Sequence, residues 1–297
     1  MHNKEHDRMM TELSRLIGNQ ENLTQADLEK IVNQFNSGKT VPKAQLTPQQ
    51  QAEDLVYEAY ELFPNKVEEA LKKIEKALKL NPDCIEAYEC LANNAPDLEM
   101  HLGYLRKGIE AGMKIFGGKY LEKNRGHFWG LTETRPFMRC LQQLANAFLL
   151  TNNIDEAVSI LEMLLDMNPN DNQGIRYQLL PALLELGEDD KYKKYDKLFN
   201  DENSTFLLFN RALFAFKTKG KCLASDNKLK AAIEANKYVA KKLLSKSQLR
   251  TIADSYSWGD ENEAKYYVVM AKRVWQKTDG ALEWLTSETS KTQIKRK

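Results

Sequence analysis

An all-α chain built from stacked helix pairs is what this sequence of 297 residues predicts, and three observations carry that expectation. First, two segments read almost alike, VEEALKKIEKALKLNPDCIEAYECLA at 67–92 and IDEAVSILEMLLDMNPNDNQGIRYQLL at 154–180, each a helix, a turn and a second helix. Second, the small and apolar positions repeat: Ala70, Ile74 and Ala77 share one helical stripe ahead of Pro82, and Ala157, Leu161 and Leu164 precede Pro169 at the same offsets. Small residues at these places let neighbouring helices approach. Asn-Pro ends the outgoing helix, because proline lacks a backbone donor and restricts the residue before it. Third, 42% hydrophobic residues with 29% charged ones describe an ordered chain whose charges coat helix surfaces.

Taken in order, residues 1–46 read as a separate N-terminal segment: a short helix around 8–18, then TQADLEKIVNQFNSG, where Thr24 and Asp27 suit a helix start and Gly38 a stop. TVPKAQLTP at 40–48 is a linker ending where Thr47 and Pro48 open the next helix. From 48 to 285 the pattern predicts about five or six helix pairs, the outer ones degenerate as capping units are. A step of two periods of about 34 residues carries Leu161, Leu164 and Pro169 onto Leu229, Ala232 and Lys237, with lysine in place of proline. Weaker copies carry Gly187 and Gly220, and WGDENEAKYYVVMAKRVW, with Gly259 and Ala264, closes the series. Pro82 and Pro169 lie about 19 residues further apart than two periods allow, which places an insertion at about 112–134, where Gly117, Gly118, Gly126 and Gly130 crowd. GHFWGLTETRPFMR at 126–139 returns the chain to the stack, with Pro136 in the first turn of the following helix. The end, TSETSKTQIKRK at 286–297, has no apolar face and reads as a disordered basic tail.

These offsets, with Leu141, Leu144, Ala145 and Phe148 at the consensus positions of one first helix, resemble the tetratricopeptide repeat. The resemblance implies a right-handed α-solenoid whose first helices line a concave groove. NPDCIEAYECLA, together with ETRPFMR and NPNDNQGIRY, is further similar to bacterial tetratricopeptide proteins grouped with the suppressor of tumorigenicity seven family. That similarity implies a helical repeat fold and no assigned chemistry.

Charge and composition narrow the function classes. The formal net charge is +1, so no overall field draws the molecule onto nucleic acid or anionic membrane. Helix-turn-helix DNA reading by the N-terminal segment is disfavoured by Gln25, Asp27 and Glu29, with only Lys30 basic near the helix start. No apolar run of membrane-spanning length and no secretory leader appear in the sequence, so a cytoplasmic location is expected. Cys84, Cys90, Cys140 and Cys222 lack metal-ligand spacing; reduced, packed thiols are expected, with no metal or cofactor.

By the resemblance, positions two, five and nine of the first helices face the groove, which selects Arg139, Gln142 and Asn146, then Gln173 and Arg176, then Asn210. Together with Arg135 they form a donor-rich face suited to a carboxylate, a phosphate or a peptide main chain. Arg135 and Arg139 admit a second reading, an ion pair with Glu133 that pins the insertion. In NPNDNQGIRY, Asp171 or Asn172 suits a helix cap, and the same helix start beside Arg176 suits a small anion. His127, Phe128, Trp129 and Glu133 are expected to anchor the insertion. An enzyme using His127, Glu133 and Arg135 is the weaker reading, because no Ser or Cys nucleophile constellation accompanies them. The expectation is therefore a cytoplasmic adaptor, not an enzyme, whose groove binds a protein or peptide segment with an acidic or carboxylate-bearing end. The alternative is a peptide-sensing helical regulator acting through its N-terminal helices.

Overall fold

The computed structural model describes residues 4–18, 23–42, 45–247, 253 and 255–294, residue 4 and the last four by backbone alone. Sixteen α-helices and no β-strand occur among the described residues. In chain order they are α1 (Lys4–Ile17), α2 (Gln25–Asn36), α3 (Pro48–Leu62), α4 (Val67–Leu80), α5 (Ile85–Asn93), α6 (Leu98–Phe116), α7 (Lys119–Lys123) and α8 (Arg135–Leu150). There follow α9 (Ile154–Met167), α10 (Arg176–Leu186), α11 (Asp189–Leu198), α12 (Thr205–Lys219), α13 (Leu223–Ala235), α14 (Tyr238–Leu244), α15 (Glu261–Lys277) and α16 (Ala281–Ile294). The chain divides into two compact units, residues 1–151 with 163–172 and residues 152–162 with 173–297.

In the first unit α3 packs on α4 and α5 on α6, while α3, α5 and α8 adjoin one another in turn. The repeat stripe is the reason: Ala70, Ile74 and Ala77 are buried against Ala52, Val56 and Ala59 of α3 and against Cys84, Ala87 and Cys90. Methyl-sized side chains bring the axes close, and enlarging one in such a site costs about 1–3 kcal/mol in strain. The helix starts follow local chemistry. Thr24 with Asp27 and Thr47 with Gln50 each form a reciprocal capping box, and Pro48 occupies the first turn of α3. Residues 1–46 do not stand apart, because α1 belongs to the first unit and ties its Arg15 to Asp54 of α3 at 2.6 Å.

The insertion is shorter than expected. α6 runs on to Phe116, with Leu105, Gly108, Ala111, Gly112 and Phe116 buried along one side, so the non-repeating segment is 117–134. Gly112, at the start of the expected insertion, is a close-approach residue inside α6: a Cβ there would lie 2.1 Å from Cδ2 of Phe137. Within the segment Phe128 is fully buried, packed edge-on to Phe116 at 6.3 Å and to Tyr120 at 6.0 Å.

In the second unit α10 packs on α11, α12 on α13 and α10 on α12. The final repeat departs from expectation. α15 does not pair with α16 as the next two helices of a stack; it lies against α10, α12 and α14, and α16 packs on α13 and α14. The cause is aromatic: Tyr267 and Trp275 of α15 are fully buried and meet Phe209 at 5.4 and 6.4 Å. The expected disordered tail is also revised, since α16 continues to Ile294. Trp284 and Leu285 anchor it in the core, and the hydroxyls of Thr286, Thr289 and Ser290 donate to carbonyls four residues back. Residues 295–297 of that tail lie outside the described residues.

Proline proves unnecessary at the repeat corner. Asn81 (φ −142°, ψ 99°) and Asn236 (φ −148°, ψ 101°) cap α4 and α13 with nearly the same backbone. In each, the side-chain Oδ1 accepts from the amide two residues on, Asp83 or Tyr238, at 3.1 Å. This side-chain-built turn explains how Lys237 stands where Pro82 stands in the other copy.

Candidate functional site in the first unit

Pro136 starts α8 and sets Arg135 and Arg139 four residues apart, on one face of the helix. Arg139 is buried. Its Nε donates to Glu89 Oε1 at 2.8 Å, its Nη2 to Glu86 Oε2 at 2.8 Å and Glu89 Oε2 at 2.7 Å, and its Nη1 to Asp7 Oδ2 at 2.6 Å. Glu86 and Glu89 come from α5 and Asp7 from α1, and all three are buried. Burial alone lowers the pKa of Arg139, but the charges of Glu86, Glu89 and Asp7 outweigh it and raise the pKa well above the ordinary value. Arg135 donates from Nη1 to Asp7 Oδ1 at 3.0 Å and from Nε to the Trp129 carbonyl at 3.0 Å, with its guanidinium 5.5 Å from the Trp129 ring centre.

The far end of α1 carries a complementary arrangement. Arg15 donates to Asp54 Oδ1 at 2.6 Å, to the Gln50 carbonyl at 3.0 Å and to Glu53 Oε2 at 3.2 Å, all on α3. Between the two ends, the hydroxyls of Thr11 and Tyr57 lie 3.4 Å apart, and Arg8 reaches Glu61. α1 thus lies across α3, α5 and α8, which adjoin one another in turn. Beneath it is a cavity of about 580 Å³, lined on the α1 side by Asp7, Thr11 and Arg15 and on the other by Glu53, Tyr57 and Glu86 among others. Burial pushes Glu53 above the usual carboxylate range despite Arg15, and burial together with Glu86 raises Tyr57. Cys84, also on the cavity wall, is pushed up to about 12 by burial and is a neutral thiol at physiological pH.

The structure distributes the sequence-predicted residues as follows. Gln142 and Asn146 are half-buried on α8, on the same face as Arg139 and one and two turns further on. Glu133 does not pair with Arg135 or Arg139 in the ion pair envisaged for it. It is exposed and accepts from the Tyr120 hydroxyl at 3.2 Å; burial first, then Glu133, pushes that hydroxyl's pKa up to about 12. His127 is exposed, so Phe128 holds the insertion core, aided by the Thr134 hydroxyl bonded to the carbonyls of Phe128 and Leu131.

Gln173, Arg176 and Asn210 belong to the second unit. Arg176 donates from Nε to Glu202 Oε2 at 2.7 Å and lies over the rings of Tyr177 and Phe199 at 4.2 and 5.1 Å. Asp171 and Asn172 lie ahead of the first turn of the helix that follows. Asp171 has φ 48° and is buried, and α10 begins only at Arg176, behind an Ile175 N-cap with no side-chain bond. Asn210 is fully buried and its Oδ1 accepts from the Tyr267 hydroxyl of α15 at 3.2 Å; Gln173 is half-buried.

Sequence reasoning missed Asp7, Arg15, Glu53, Asp54, Glu86 and Glu89. A signal existed for two of them: Glu86 and Glu89 sit three apart on one helix and Arg135 and Arg139 four apart on another, matched acid and base faces on successive first helices. Among the described residues no helix is long and apolar enough to cross a membrane, and no group of His, Cys, Asp and Glu has a metal-holding arrangement. No protein-family model and no curated protein matches the chain.

Proposed function

We propose that this protein is a tetratricopeptide-type binding scaffold rather than an enzyme. Its working surface is the inner face of α3, α5 and α8, which takes a protein or peptide segment bearing a carboxylate. One observation carries the reading: Arg135 and Arg139 are four residues apart on α8 and together hold a carboxylate presented by a separate helix, Asp7 of α1. Paired guanidinium groups fit a carboxylate by geometry as well as charge, each such bond being worth about 1.5–3 kcal/mol. The solenoid form and the likeness to the suppressor of tumorigenicity seven group belong to this proposal, supported by the recurring buried stripe and by the adjoining first helices. The second reading, a regulator acting through its N-terminal helices, gains support from the same contact, because α1 is the element seated on the face.

The test places a photoreactive amino acid at Gln142, beside Arg139, and in a second protein at Lys72, exposed on α4. In native lysate the Gln142 protein is expected to form a discrete protein adduct, abolished by excess acidic peptide, and the Lys72 protein none. Equal labelling at the two positions removes the reading.

A further inference from the structure

The contacts of α1 carry the functional reading one step further. α1 is held mainly by charge: none of its apolar residues is among the buried core residues, Met10, Leu13, Leu16 and Ile17 being only half-buried and Met9 44% exposed, while its most buried side chains are Arg15 and Asp7. What holds it is charge at two places, Asp7 on Arg135 and Arg139, and Arg15 on Glu53 and Asp54. The two anchors are eight residues apart, about 12 Å along a helix, and the space between α1 and the inner helices is left as a cavity of about 580 Å³. On α3 the receiving groups Gln50, Glu53, Asp54, Tyr57 and Glu61 follow helical spacing, so the face reads a helix and not an extended strand.

We propose that α1 is a displaceable internal ligand, and that the partner of the inner face is a helical segment carrying the same charge pattern: a carboxylate and, two turns later, a guanidinium. This rests on the reading of that face as the binding surface. A free 14-residue helix is marginal in water. Displaced α1 therefore loses its order, and the partner must outcompete a ligand tethered to its own site. Affinity measured on the intact protein is reduced by the fraction of molecules in which α1 is seated.

The probe is a labelled peptide of residues 4–17, titrated onto the full chain and onto a full-chain variant carrying Asp7→Lys and Arg15→Glu, whose own α1 can no longer seat. Binding to the variant is expected, about tenfold or more tighter than to the wild type, in which the resident helix competes. A peptide carrying the same two exchanges is expected to bind neither protein. Equal affinity for the two proteins overturns the proposal, as does absence of binding to a variant that still unfolds cooperatively in urea.

Should the variant fail to fold, hydrogen exchange on the unaltered protein decides. Amides of α1 are expected to exchange at least about tenfold faster than those of α15, a sub-global opening; equal protection overturns the proposal. The two readings separate cleanly. A partner adduct at Gln142 with α1 still protected ends displacement and keeps the scaffold, whereas peptide binding to the variant with no adduct in lysate keeps the internal ligand and ends the scaffold.

Discussion

Each unit lays one helix across three others, and the two do it with opposite chemistry. In the first unit α1 spans α3, α5 and α8 through ion pairs over a cavity. In the second, α15 spans α10, α12 and α14 with Tyr267, Val268, Ala271, Val274 and Trp275 buried beneath it. Apolar burial is non-directional and lost in proportion to area, so α15 cannot leave without exposing the aromatic core of its unit. Ion pairs can be exchanged for equivalent pairs with another chain, so α1 can leave if something replaces it. One placement thus serves as core in one unit and as a cover in the other.

The sharpest way to break this contrast is to cut each helix's anchor. Trp275→Ala is expected to destabilise the second unit by about 3–5 kcal/mol, read in urea unfolding, because a fully buried indole also loses its bond to the Tyr267 hydroxyl. A loss under about 1 kcal/mol would show that α15 is no more core than α1. Next, Arg139→Met should cost the first unit about 3 kcal/mol or more, since three buried carboxylates lose their shared cation. Asp7→Asn on the α1 side should cost only about 1 kcal/mol, as Glu86 and Glu89 still satisfy Arg139. Equal effects from the two would make α1 an integral part of the buried network.

These contrasts were unevenly legible in the sequence. Everything with a local period was readable: the Ala70, Ile74 and Ala77 stripe, the capping at Thr24 and Thr47, and Pro136 at the start of α8. Arg139 and Asn210, singled out through the family resemblance, bond to Asp7 of α1 and to Tyr267 of α15. What could not be read is which segment does the crossing. Asp7 and Arg139 are 132 residues apart, and no periodicity links a pair formed by folding at that separation. α15 misled for a related reason: its small and aromatic residues fit the repeat pattern, while its place is decided by Phe206 and Phe209, more than fifty residues earlier. The insertion was placed from residue 112 although Gly112 lies inside α6, where its lack of a side chain admits the Phe137 ring.

Two smaller effects refine the comparison. Replacing Lys237 by proline should stabilise the second unit by about 0.4–1 kcal/mol in thermal unfolding. Lys237 already has φ −66° and Asn236 before it is extended, as a pre-proline residue must be. Destabilisation would mean that the corners at Asn81 and Asn236 are less alike than their backbones. Smallest is a pH effect under α1. Burial raises Glu53 in the folded state, so its ionisation opposes folding above the folded pKa, and that penalty fades as pH falls towards the unfolded value near 4.3. Glu53→Gln, which can still accept from Arg15, should therefore be the more stable protein at pH 8, with the gap closing by pH 4. A gap that is constant with pH would remove the titration of Glu53 as its cause.

The amide of Asn236 does more than shape a corner. Its oxygen receives the Tyr238 amide while its nitrogen reaches the Asp260 carbonyl and Glu263 Oε2, at 2.9 and 3.2 Å. One flat group therefore bolts the end of α13 to the start of α15 with both of its faces committed. Hydrolysis to aspartate, the slow chemical ageing to which asparagine is prone, would keep the oxygen and turn the nitrogen into a charge facing a buried glutamate. The second unit thus holds its crossing helix by a latch only one atom away from pushing it off.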